Sequence, residues 1–147
     1  MRQLAKVITK KMASNNGVLI SIGIVYLWFG GLKFFTGVSP AEALAINTID
    51  YLFLGKIPSD ISIVLLAIWE TVIGLFLIGN LFRKFTLLLA LVHIVLTFTP
   101  FLFSPELTFT EAPFGLTILG QYIVKNIIIL AVLLFYFREG QKAKIKE

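Results

Sequence analysis

Four apolar stretches, each about as long as a bilayer is thick, constrain this chain more than anything else in it. They cover residues 17–38, 61–80, 85–103 and 118–137. A helix needs about 20 apolar residues to cross hydrocarbon. A segment in hydrocarbon must also satisfy its own backbone hydrogen bonds, so each stretch is expected to be a helix. Composition agrees: 58% of the 147 residues are hydrophobic, 14% are charged and the mean hydropathy is +0.93. Soluble domains have about 45–50% apolar and about 25% charged residues. The sequence thus predicts an all-α polytopic membrane protein, a four-transmembrane-helix bundle forming a single membrane domain over residues 1–147.

The positions of Lys and Arg set its orientation. Arg2, Lys6, Lys10 and Lys11 precede the first span. Arg83 and Lys84 separate spans two and three, and Arg138, Lys142, Lys144 and Lys146 follow span four. The other two loops hold only Lys56, together with Glu42, Asp50, Asp60, Glu106 and Glu111. The positive-inside rule then puts both termini and the middle loop in the cytoplasm. The first span is too long for the h-region of a signal peptide, about 7–15 residues, and contains a lysine, so it is expected to be retained.

Two shorter helices are expected at the membrane surfaces. In residues 3–13, Leu4, Val7, Ile8 and Met12 share one side, with Lys6 and Lys10 on another; that pattern fits an interfacial helix. The "SNNG" at 14–17 should break it before span one. In residues 40–53, Ser39 and Glu42 have capping-box spacing and Pro40 suits a first helical turn. The second outer loop, "SPELTFTEAPFGLT", is expected to pack over the bundle mouth. No internal repeat supports an inverted-repeat transporter.

Several chemistries are excluded. Without cysteine, this chain cannot supply disulfides, thiolate metal sites, Fe–S clusters or a dithiol–quinone relay. Its one histidine cannot provide two axial haem ligands. The formal charge of +5 flanks the spans and forms no basic face, so no nucleic-acid partner is expected. No cofactor or metal ligand set is present, and the chain is not expected to be an enzyme on its own.

The polar residues inside the spans carry the remaining information. A charge near the bilayer centre costs about 2.5–3.5 kcal/mol on insertion scales. Counting along the helices, Glu70 lies about 13 Å, Lys125 about 10 Å and Lys33 about 7 Å below the outer edge. A Glu70–Lys125 pair is compatible with those depths if the two helices face each other; it could fix helix register or line a cavity. Lys33 could snorkel to the headgroups. However, Gly23, Tyr26, Gly30, Lys33 and Gly37 follow one helical face, where small residues admit a neighbouring helix. His93 shares a face with Thr86, Ala90, Thr97 and Pro100, and could hydrogen-bond across helices or shuttle protons. Gln121 shares the face of Lys125, and Asn126 is adjacent. Together Lys33, Glu70, His93, Gln121, Lys125 and Asn126 are expected to form a polar pocket in the outer half of the bundle, with Tyr26, Trp28 and Trp69 as its aromatics.

The same residues carry a resemblance. "WFGGLKFF" in span one, "WETVIG" in span two, "TFTP" ending span three and "GQYIVKNIIIL" in span four resemble, in order and spacing, the DoxX-like family of small four-span bacterial membrane proteins. The likeness runs from about Ile20 to Leu134. It implies a bacterial cytoplasmic (inner) membrane protein and, from some relatives, a place beside thiosulfate:quinone oxidoreductases or in oxidative-stress membrane complexes. Lys33, Glu70 and Lys125 match the family's polar positions, and no catalytic role comes with them. Three functions follow as expectations. The first is an accessory or quinone-proximal component of a membrane redox system, in which Lys33 or His93 bonds a quinone carbonyl near Trp28 and Trp69. The second is a proton-coupled transporter using Glu70. The third is a scaffold binding a membrane oxidoreductase, another partner or further copies of itself.

Overall fold

A computed structural model of the protein describes residues 2–144, with side chains described for residues 17–140. The described residues are mostly helical: α1 (Arg2–Leu32), α2 (Glu42–Phe53), α3 (Ser59–Ile78), α4 (Arg83–Leu96), α5 (Pro100–Phe103), α6 (Pro105–Thr108) and α7 (Ile118–Lys144). One small antiparallel ribbon interrupts this pattern, pairing β1 (Phe109–Glu111) with β2 (Gly115–Leu116). Among the described residues, three helical stretches are long and apolar enough to cross a membrane: Ser59–Ile78, Arg83–Phe103 and Ile118–Gly140. Gly17–Leu32 is a shorter apolar helix.

The helix boundaries depart from the sequence expectation at several points. The backbone stays helical through 14–17, where a break was expected. Asn and Gly weaken a helix by at most about 1 kcal/mol each, and a helix already propagating on both sides absorbs that. The side chains of 3–13, and hence the expected interfacial face, lie outside the described residues. At its other end α1 stops at Leu32, six residues before the expected limit. The Gly30–Gly31 pair weakens the last turn, and the amides of Lys33, Phe34 and Phe35 bond back three residues instead of four. Gly37 is therefore not on the helix: it is exposed in the following turn at φ +76°. The expected capping box is absent too. The Ser39 hydroxyl has no protein partner, and the Glu42 carboxylate accepts instead from the Gly37 amide at 2.8 Å. The third span pauses after Leu96, because Pro100 brings no backbone N–H to continue the ladder. The hydroxyls of Thr97 and Thr99 donate to the carbonyls of Ile94 and Leu96.

The long helices run antiparallel to their neighbours. Gly23 of α1 meets Gly74 and Ile78 of α3, while Gly30 meets Glu70 and Thr71. Thr97, just past the end of α4, bonds Asn126 of α7, while Arg83 at the start of α4 stacks on Tyr136. One apolar core joins all four: Leu19, Ile22 and Tyr26 from α1, Ile73 and Leu77 from α3, Leu87, Ala90, Leu91 and Ile94 from α4, and Leu133 and Tyr136 from α7. The remaining elements gather at one end. Tyr51 of α2 stacks on Phe103 of α5 at 5.7 Å. Thr117 ties the start of α7 to that end: its amide bonds the Thr108 carbonyl, its hydroxyl donates to Leu107, and it caps Gly120. The proline-bearing loop thus folds against the head of α7.

Candidate functional site: a buried Lys–Glu–His–Tyr cluster

The approach of α1 to α3 creates this site. A Cβ on Gly30 would sit 2.8 Å from the Thr71 amide and 2.9 Å from the Glu70 Cβ. A Cβ on Gly74 would sit 2.7 Å from the Leu27 amide. Only hydrogen at these positions lets the two backbones touch. The contact brings the end of α1, with Lys33 in the turn just beyond it, against the middle of α3. Lys33 Nζ reaches Glu70 Oε2 at 2.6 Å and also donates to the Phe29 carbonyl at 3.3 Å. An ammonium there also meets the negative end of the α1 dipole.

Glu70 has a second partner. Its Oε1 lies 3.1 Å from His93 Nε2 on α4. The other imidazole nitrogen, Nδ1, lies 3.1 Å from the Tyr26 hydroxyl on α1, which is also 3.3 Å from the Ala90 carbonyl. The imidazole packs edge-on against Tyr26 and Trp69, with ring centroids 5.2 and 5.5 Å away. Lys33, Glu70, His93 and Tyr26 are each only 5–7% exposed. Three helices therefore converge on one carboxylate, with both oxygens paired.

The hydrogen-bond roles allow two charge states. With a neutral imidazole, Nε2–H donates to Glu70 and Tyr26 donates to Nδ1. With an imidazolium, both ring nitrogens donate, and the tyrosine hydroxyl turns to donate to Ala90. In either state the imidazole and the tyrosine hydroxyl keep a partner for each donor they carry, so these two groups can take up or release one proton without stranding a buried N–H or O–H. The indole N–H of Trp69, beside His93, is buried with no protein acceptor, as is the hydroxyl of Thr71.

Of the residues expected to form a pocket, Lys33, Glu70 and His93 come together, with Tyr26 and Trp69 beside them. Lys125, Gln121 and Trp28 do not join them. Lys125 and Gln121 are exposed, and the Lys125 ammonium lies over the Tyr122 ring at 5.0 Å. The expected Glu70–Lys125 pair is therefore not formed. Depth along the membrane normal was compatible, but α7 turns Ile123 and Asn126 inward, and at about 100° per residue that leaves Lys125 outward. Asn126 bonds Thr97 Oγ1 at 3.0 Å, away from the cluster. Trp28 is 67% exposed, two residues and about 200° round the helix from the buried Tyr26. The expectation understated the role of Tyr26, taken only as a neighbouring aromatic. Its place four residues before Gly30 and seven before Lys33 is the signal that puts it on the α3-facing side. Compared with known proteins, the chain matches no family model, no curated protein and no solved structure.

Proposed function

We propose that this chain is a four-span integral membrane protein, with both termini cytoplasmic, that handles protons for a membrane redox system. Its resemblance to DoxX-like proteins suggests the setting: an accessory or quinone-proximal component, working beside an oxidoreductase in a bacterial inner membrane. The observation that carries this reading is the chain of contacts from Lys33 through Glu70 and His93 to Tyr26, in which the imidazole and tyrosine donors stay partnered with one proton gained or lost. Charges at membrane depth are expensive and concentrate along proton and substrate paths. The unpartnered Trp69 N–H beside His93 offers a donor to a ligand oxygen, such as a quinone carbonyl. Lys33, ion-paired with Glu70 and bonded to the Phe29 carbonyl, is a poorer candidate for that bond than Trp69.

The test is to extract the protein gently and assay it for bound quinone by mass spectrometry, beside Trp69→Phe and His93→Asn variants. Quinone retained by the native chain and lost from both variants supports the reading. Variants that fold as well as the native protein while quinone retention does not change would sink the quinone site.

A second reading rests on a separate observation: the Gly23, Gly30 and Gly74 contacts that seat α1 on α3. On this reading the ion cluster locks helices together and the protein serves as a scaffold. Membranes carrying a Glu70→Gln, Lys33→Met pair separate the two. A scaffold keeps its partners when the cluster is neutral, whereas a proton relay fails.

A further inference from the structure

Helix α7 carries a stripe at heptad-like spacing: Ile118, Tyr122, Lys125, Ile129, Val132 and Tyr136. Its second half is interior. Tyr136 is 4% exposed, and Ile129 and Val132 pack on the core. Its first half is not: Ile118 is 70% and Tyr122 58% exposed, and Lys125 is exposed as well. The head of α7 is held by a different face, with Gly120 against Thr108, Ile123 buried and Asn126 bonded to Thr97. One continuous face of a single helix therefore leaves the protein between Ile129 and Lys125.

What this face presents outward is amphiphilic. The Lys125 ammonium has no carboxylate partner among the described residues. It lies over the ring of Tyr122, one turn nearer the start of α7, and so is drawn toward the membrane edge. Gln121 adds an exposed amide on the same side, and below it Ile128 (68% exposed) and Phe135 (53%) continue as an apolar track. A cation, a phenol and an amide above an exposed apolar track match a molecule with an anionic head and an acyl tail. We propose that this face of α7 binds an anionic phospholipid of the surrounding bilayer, its phosphate on Lys125 and Tyr122 and its acyl chain along Ile128 and Phe135. A second copy fits less well. A two-fold contact here would oppose one Lys125 to another, and residues 118–128 contain no acid to relieve it.

This inference rests on the transmembrane reading of α7 and not on the proton relay. The test is native mass spectrometry of the full chain in detergent, offered equal phosphatidylglycerol and phosphatidylcholine. The native chain is expected to retain phosphatidylglycerol preferentially. Lys125→Gln should lower that preference about fivefold, the worth of one lysine at an anionic surface, and Tyr122→Leu should lower it too. Lys56→Gln, in a loop, should leave it unchanged. Equal retention of the two lipids by the native chain overturns the proposal, as does a preference that survives in Lys125→Gln. A dimer that cross-links through a cysteine placed at Tyr122 overturns it in favour of a second copy.

Discussion

At Glu70, one side chain holds partners from two other elements. Burying a carboxylate is tolerable only when its charge is matched and its lone pairs are used, and here Lys33 and His93 take one oxygen each. Removing one member of such a pair strands the other, at a typical cost of about 3–5 kcal/mol. Lys33→Met is therefore expected to lower stability by about that amount, read as unfolding in detergent followed by circular dichroism. Adding Glu70→Gln should recover much of the loss, because the stranded charge is removed as well. A double variant no more stable than Lys33→Met would show that the pair is not what Lys33 contributes. The sequence marked Lys33 and Glu70 as residues in need of partners. It placed both in one polar pocket but named Lys125 as the partner of Glu70, because depth can be counted along the chain while the faces that meet cannot.

The packing of α1 on α3 turns on the difference between two adjacent glycines. A Cβ on Gly30 would meet the backbone of Thr71 and the stem of Glu70, whereas a Cβ on Gly31 would meet nothing within 4 Å. Gly30→Ala is expected to destabilise by about 1–3 kcal/mol, as overpacking does. It should also loosen the Lys33–Glu70 contact, since the two helices must part. Gly31→Ala is expected to be neutral or stabilising by up to about 1 kcal/mol, through helix propensity alone. Thermal unfolding of the two variants side by side measures the contrast, and equal losses would mean that the close approach is not what Gly30 provides. The Gly23, Tyr26, Gly30 spacing made this face legible in the sequence. The end of the helix was less so. "GGLKFF" reads as a continuing apolar span, and only the i→i−3 bonds after Gly30 reveal that the turn has already begun.

At the scale of the whole molecule, the orientation proposed from the charge distribution is directly measurable. The chain has no cysteine, so single cysteines at the exposed positions Lys56 and Lys84 report without background. With cytoplasmic termini, an impermeant thiol reagent outside intact cells should label Lys56→Cys and spare Lys84→Cys; the reverse pattern would invert the topology. The sequence did not determine where each helix ends. The helical character, apolarity and order of the long segments were determined by it, because hydrocarbon demands runs of apolar residues whose backbones bond internally. So was the need of Lys33, Glu70 and His93 for protein partners, since an isolated charge at that depth is too costly. The tertiary structure decided which needs meet. Rotation of each helix about its own axis leaves composition and depth unchanged, yet it turns Lys33, Glu70, His93 and Tyr26 inward to one another and leaves Lys125, Gln121 and Trp28 outside. That rotation is set by contacts between residues far apart in the chain, Gly30 against Thr71 and Asn126 against Thr97, and no local pattern in the sequence contains them.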